Sequence, residues 1–140
     1  MKITKVKSYV LQYDLEEEFG YSQQYYAKRT AHIIEITTDN GLVGYGEAFG
    51  GGGVALANQT IVEQVIAPLI IGMNPLDNEV IWHKVYNLLR DHGQKGMPLQ
   101  SLSGVDIALW DIKGKFYEQP LYPLLGSAFR DENTVHGDGV

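Results

Sequence analysis

The run Ser103-Gly104-Val105-Asp106-Ile107-Ala108-Leu109-Trp110-Asp111 decides how this chain folds. Around it, Leu102, Val105, Leu109, Ile112 and Phe116 step by three and four residues. That spacing predicts one apolar stripe on a helix over residues 99–117. Each side chain it buries is worth roughly 1.5–3 kcal/mol before entropy is counted. Gly104 and Ala108 lie four apart on the same helix and are small, so another helix or strand can approach closely there. Asp111 and Lys115 are also four apart and can pair, for only about 0.2–0.5 kcal/mol. Trp110 carries an indole donor that wants a partner if it is buried. These properties describe a core helix, and none of them by itself calls for catalysis.

Upstream, two more helices are predicted. In residues 54–69, Ala57, Ile61, Val65 and Leu69 recur at four-residue steps, with Pro68 expected to end or kink the helix. After Gly72-Met73-Asn74-Pro75, Asp77 is a candidate N-cap for a helix carrying Val80, Ile81, Val85, Leu88 and Leu89 on one side. The glycine run Gly50-Gly51-Gly52-Gly53 separates these helices from a strand-forming first third. There, Ala31-His32-Ile33-Ile34-Glu35-Ile36-Thr37-Thr38 is rich in β-branched residues, Asp39-Asn40-Gly41 is a turn signal, and Leu42-Val43-Gly44-Tyr45-Gly46-Glu47-Ala48 reads as the returning strand. Ile3, Val6, Tyr9 and Leu11 suggest an earlier strand that extends the hairpin to a meander, joined to it by a polar, aromatic loop over residues 16–28. Strands followed by helices make an α+β fold: a three-stranded antiparallel meander plus a helical bundle.

The chain has 140 residues, of which 44% are hydrophobic, so an ordinary globular core is expected. A domain near this length buries roughly 68–70% of the surface of its unfolded chain. The net charge of −6, with no basic stripe, argues against nucleic-acid and anionic-membrane partners. There is no cysteine, which excludes a disulfide framework and Cys-ligated zinc or iron–sulfur sites. Met1-Lys2-Ile3-Thr4-Lys5 is not followed by a long apolar run, and the apolar stretch of residues 66–71, with Pro68 inside it, is too short to cross a bilayer. A cytoplasmic location is the default expectation.

From Ser103 to Gly126 the chain reads SGVDIALWDIKGKFYEQPLYPLLG. This string resembles the signature that closes the amino-terminal domain of the mandelate racemase and muconate lactonizing branch of the enolase superfamily. Asp106, Ala108, Asp111, Gly114, Lys115, Pro120, Leu121, Leu124, Leu125 and Gly126 carry the likeness, while Ser101 stands where alanine is usual. The openings Ile3-Thr4-Lys5-Val6 and Asn40-Gly41-Leu42-Val43-Gly44-Tyr45-Gly46-Glu47 are similar too. Within the branch, Tyr86-Asn87-Leu88-Leu89-Arg90-Asp91-His92-Gly93-Gln94-Lys95-Gly96 is most similar to galactarolactone cycloisomerases and nearby acid-sugar dehydratases.

The resemblance implies an enolase-type N-terminal capping domain over residues 1–126, then a linker and the first strand of a truncated β/α barrel over residues 127–140. It implies a Mg-dependent lyase or isomerase that abstracts the proton α to a carboxylate of an acid sugar or its lactone. It also implies that the magnesium ligands and bases belong to the barrel and not to this chain, which would be inactive alone. The physical logic is that such a proton is weakly acidic, so developing charge needs a cation. Lys113 and Lys115 flank Gly114 on the core helix and are not the family's lysine base pair, which belongs on a barrel strand. Glu47, Asp106 and Asp111 are expected to be structural.

In the family, a loop after the first strand and another after the third close over the barrel mouth. Here they correspond to residues 19–26 and 48–53. The expected substrate-binding residues are Tyr21, Ser22, Gln23 and Tyr25, which offer donors and aromatic faces to a polyhydroxylated acid, together with Phe49 and Gly50. The glycine run is a candidate hinge; no Gly-Lys-Ser/Thr follows it, so a nucleotide P-loop is disfavoured. His32, on a strand, is expected to be structural; His83 is read as having no histidine or acid at metal spacing on its helix face, and His92 as lying in a polar, solvated connection. His136 and Asp138 alternate along the expected barrel strand. The expected partners are the remainder of the barrel, including as a second polypeptide pairing with that strand, a small carboxylate substrate, and further copies in a homo-oligomer. The rival readings are a stand-alone binding or regulatory module without its barrel, and the lid of a racemase or muconate cycloisomerase.

Overall fold

The computed structural model describes residues 1–128, 130 and 132. The expected barrel strand, with His136 and Asp138, lies outside the described residues. Strands β1 (Ile3–Tyr21), β2 (Gln24–Thr38) and β3 (Val43–Ala48) form one antiparallel sheet in the order β1-β2-β3. Four helices follow. The first is composite: α1 (Ala55–Thr60) passes through a π-helical turn (Ile61–Ile66) into α2 (Ala67–Ile70). Then come α3 (Asn78–Leu89), α4 (Met97–Tyr117) and the short α5 (Leu121–Leu124). This is the α+β meander and helical bundle that the sequence predicts.

Strict alternation along β2 buries His32, Ile34, Ile36 and Thr38 on one face. The Asp39-Asn40-Gly41 turn works as read: Gly41 has φ +86, and the Thr38 hydroxyl lies 2.6 Å from Asn40 Oδ1 and 2.8 Å from Leu42 O. α4 packs on the buried face of β3 and β2. The approach is close because glycines meet small residues. A Cβ at Gly46 would strike the Gly104 carbonyl and come within 2.7 Å of the Ala108 nitrogen. Gly44 likewise faces the Ala108 carbonyl. The core then fills with Ile34 and Ile36 from the sheet, Val62, Ile66 and Ile70 from the composite helix, Ile81 and Val85 from α3, and Leu102, Val105, Leu109 and Ile112 from α4.

Several expectations need correcting. Residues 16–28 are not a loop: β1 and β2 continue as a hairpin arm to a tight turn at Ser22-Gln23. Tyr21, Tyr25, Tyr26 and Thr30 favour extended backbone, and Leu15-Glu16-Glu17-Glu18, opposite Ala27 alone, are absorbed as a bulge between the pairs Asp14/Lys28 and Phe19/Tyr26. Pro68 does not end its helix. The π turn accommodates it, with the Ala67 N–H reaching the Val62 carbonyl five residues back, and the helix runs on to Ile70.

The buried stripe of that helix is Ala55, Asn58, Val62, Ile66 and Ile70, one position away from the expected Ala57, Ile61, Val65 and Leu69. Ile61, Val65 and Leu69 pack at the core's edge instead, because Asn58 takes the interior position through its hydrogen bonds. Val80, Leu88 and Phe116 are exposed, since the true contact lines are Ile81, Val85 and Leu89 on α3 and Leu102 to Ile112 on α4. Leu11 is exposed on the outward arm. Asp77 occupies the N-cap position of α3 but its carboxylate caps nothing; it accepts from Asn74 Nδ2 at 3.4 Å.

Candidate functional site

The arm of the hairpin and the glycine segment together frame an open groove of about 420 Å³. Gln12, Tyr25, Tyr26, Arg29, Phe49 and Gly51 lie along it, with Lys28 and Thr30. A second, shallower depression continues past Phe49 and Gly50 towards Glu47 and Ile107, sharing Arg29 and Thr30. Opposed strand positions bring these residues together. Gln12 faces Thr30 across the ladder, and its Nε2 lies 3.4 Å from Thr30 Oγ1.

The groove carries positive charge on an acidic protein. Arg29 stacks over the Phe19 ring at 4.1 Å to the centroid, which holds the guanidinium while leaving N–H donors free to act. Lys28 pairs with Asp14 at 3.0 Å, an exposed bridge of small energetic weight. Interaction with the neighbouring Tyr21 hydroxyl, then burial, push the Tyr26 pKa up from its ordinary value.

The glycine segment is anchored at its start. A Cβ at Gly50 would come within 3.0 Å of the Thr30 carbonyl, tighter than most side chains sit, so glycine suits this close approach to β2. Phe49 is exposed, yet its carbonyl accepts a hydrogen bond from the buried Asn58 Nδ2 at 2.8 Å. Gly51–Gly53 form a short 3₁₀ turn, with Gly53 at φ +79.

Of the residues singled out from sequence, Tyr25 and Phe49 therefore meet in one groove, and Gly50 lies in the adjoining depression. Tyr21, Ser22 and Gln23 sit at the tip of the arm and do not line the groove; the Tyr21 hydroxyl lies 3.3 Å from Gln24 Oε1. Sequence reading missed Gln12, Arg29 and Thr30. The strand-favouring Tyr25, Tyr26 and Thr30, read as strand instead of loop, were the signal that would have pointed to the arm.

The carboxylates expected to be structural are placed in two ways. Asp111 Oδ2 accepts from the Tyr45 N–H at 2.8 Å and from Lys115 Nζ at 2.7 Å, and Lys115 also donates to the Val43 carbonyl at 2.7 Å. The pair thus ties α4 to β3. Asp106 is half-buried beside Trp82 and Trp110, and desolvation, then repulsion from Glu79, raise its pKa. His32 is wholly buried, and both ring nitrogens lack a partner. Desolvation lowers its pKa against an opposing pull from Glu63.

Among the described residues, no group of three or more His, Asp or Glu side chains comes together in a way that would hold a metal ion. His83, read from sequence as lacking an acid at helical spacing, has Glu79 one turn earlier with Nε2–Oε2 at 3.9 Å, an exposed pair. The magnesium ligands that the resemblance implies are expected on the barrel, outside these residues. Among them, too, no helix is long and apolar enough to cross a membrane.

The sequence pattern of the family described as "Mandelate racemase / muconate lactonizing enzyme, N-terminal domain" matches residues 15–126. The D-galactarolactone cycloisomerase of Agrobacterium fabrum is 40% identical over 139 residues, covering 99% of this chain and 36% of that protein. The D-xylonate dehydratase of Haloferax volcanii is 36% identical over 107 residues, covering 76% of this chain and 25% of that protein. The crystal structure of an enolase-superfamily member from Polaromonas sp. JS666 superposes with a TM-score of 0.85 at 39% identity, over 93% of this chain and 34% of that one. The chain thus spans about a third or less of the length of these relatives. With its meander, its helical bundle and its α4 signature all matched, this chain belongs to the mandelate racemase/muconate lactonizing enzyme family of the enolase superfamily, as an N-terminal capping domain.

Proposed function

We propose that this chain is the substrate-capping part of an enzyme that removes the proton α to the carboxylate of an acid sugar or its lactone, as a dehydratase or cycloisomerase. The observation that carries the reading is the groove. It sets a guanidinium, two phenols and an amide within one open cleft, bordered by the exposed Phe49 ring. Arg29 suits a carboxylate, Tyr25, Gln12 and Thr30 suit hydroxyl groups, and Phe49 excludes water from the covered face. Tyr21, Ser22 and Gln23, at the arm's tip, are proposed to meet the substrate only when the arm lies over the catalytic domain. The names of the cycloisomerase and dehydratase relatives support this choice of substrate class over a mandelate- or muconate-like one.

In this reading the groups that move the proton and any that hold magnesium come from the part of the relatives that this chain does not match, either in the same polypeptide or in a second one. No chemical step is assigned to residues of this chain. Its side chains bind and orient the substrate and limit access of water. A homo-oligomer belongs to the same proposal.

The test is a turnover screen of the full-length protein with aldonic and aldaric acids and their lactones, with and without magnesium. Metal-dependent turnover of at least one is expected, and Arg29→Met should raise KM for it by about tenfold. Turnover confined to mandelate- or muconate-type acids, or binding of acid sugars with no reaction, overturns the proposal.

A further inference from the structure

We propose that Asn58 is a positioning residue for the substrate-facing segment of residues 49–53, acting through the main chain of Phe49. The inference rests on the functional reading above for what the segment faces. What holds the segment follows from the packing alone.

Asn58 lies on α1 with no exposed surface, an expensive place for an amide unless its hydrogen bonds are made. Its two N–H donors have two acceptors: the Phe49 carbonyl at 2.8 Å and Gln100 Oε1 at 3.2 Å. Its own backbone carbonyl accepts from the buried Ser101 hydroxyl at 3.3 Å. The Phe49 carbonyl can only accept, so it demands the NH₂ side of the amide, and Gln100, turned to present Oε1, takes the second N–H. A flipped amide would place Oδ1 against the Phe49 carbonyl oxygen. Oδ1 accordingly has no partner. A buried amide that forgoes one hydrogen bond in order to make two others is held by the geometry around it.

The consequence falls on Phe49. Its carbonyl is drawn inward to Asn58, and the neighbouring Gly50 is pressed against the Thr30 carbonyl and the His32 nitrogen, at 3.0 and 3.3 Å from where a Cβ would sit. With its carbonyl turned in and the next residue pinned, the Phe49 side chain is left outward, where it borders both the groove and the adjoining depression. One polar contact from α1, oriented by Gln100 of α4, thus fixes where an aromatic ring stands over the groove. Asn58 lines neither the groove nor the adjoining depression, so its influence on a substrate there passes through Phe49.

The experiment pairs hydrogen exchange with kinetics in the full-length protein. Asn58→Leu removes both donors at similar volume. Gln100→Leu, at a half-buried position, removes only the group that orients the amide and covers the case in which the first variant does not fold. Ser103→Ala, which breaks a hydroxyl contact with the Leu99 carbonyl elsewhere on α4, is the control. In both test variants the amides of residues 50–53 should exchange about fivefold faster or more, with the β2 core amides unchanged. For an acid sugar that the wild type turns over, KM should rise about tenfold with kcat within about twofold. Ser103→Ala should match wild type in both. Unchanged exchange in a folded Asn58→Leu or Gln100→Leu protein overturns the proposal whatever the kinetics do, as does a loss confined to kcat. If the wild type turns over no acid sugar, the functional reading fails, and the exchange data still decide whether Asn58 holds the segment.

Discussion

At the scale of single residues, His32 shows how burial converts into pH dependence. Its ring is buried with both nitrogens unpartnered, and desolvation lowers its pKa below the ordinary value of about 6.5. The unfolded chain therefore takes up a proton below about pH 6.5 while the native state still refuses it. Stability is complete above that pH and falls as the pH drops through the window down to the lowered native pKa. Asp106 acts with the opposite sign: its raised pKa makes the native state hold a proton more readily than the unfolded chain, so its contribution grows as the pH falls towards the ordinary aspartate range. His32→Leu should isolate the first effect. Urea unfolding at pH 5, 6, 7 and 8 should show the variant losing less stability than wild type between pH 7 and pH 5. At pH 7 its stability should equal or exceed that of wild type, because two unpaired buried nitrogens are gone. A gap between the two proteins that does not change with pH would contradict this account.

Among the elements, the contact between α4 and β3 is a close-packed seam. Gly44 and Gly46 on the strand meet the Ala108 and Gly104 carbonyls of the helix, and Gly104 in turn has Ala48 Cβ within 2.8 Å of where its own Cβ would stand. Side chains at these positions would push helix and sheet apart and open the core above Ile34 and Leu109. Gly46→Ala is expected to cost about 3 kcal/mol, the upper range for overpacking, because the atoms it meets are backbone and cannot swing aside. Gly41→Ala is a useful contrast. It strains a positive φ but meets nothing within 4 Å, so its cost should be about 1 kcal/mol. Chemical denaturation of the two variants measures the difference directly, and equal costs would argue against a close-packed seam.

For the molecule as a whole, the described residues form one continuous core, yet their polar groups are spread along the groove and the α3–α4 surface without a metal-holding cluster. Folding of this part should therefore be indifferent to divalent ions. Thermal unfolding of residues 1–126 should give the same midpoint, within about 1 °C, in excess EDTA and in millimolar magnesium, since a ligand that does not bind the native state shifts nothing. A magnesium-dependent rise of several degrees would reveal a site built by this chain. With Lys28 paired to Asp14, Arg29 is the groove's uncompensated positive charge on an otherwise acidic protein, so under the proposed function capture of an anionic substrate should weaken with ionic strength.

Local pattern was enough to establish that there are three strands, though not how far the first two run, together with the three long helical segments and the turn at Asn40-Gly41, because backbone geometry imposes those repeats wherever they occur. The string from Ser103 to Gly126 was likewise enough to establish the family, since helix contacts with β3 demand small residues at Gly104 and Ala108 and a tether at Asp111 and Lys115. Which face of a helix turns inward was another matter. Ile61 and Val65 are as apolar as Val62 and Ile66, and the choice fell to Asn58, whose amide is satisfied only by Phe49 and Gln100, residues 9 and 42 positions away. The groove depended on tertiary structure for the same reason. It exists only because two strands read as a loop extend as an arm beside the glycine segment, so that Gln12, Arg29 and Phe49, remote in sequence, share one cleft.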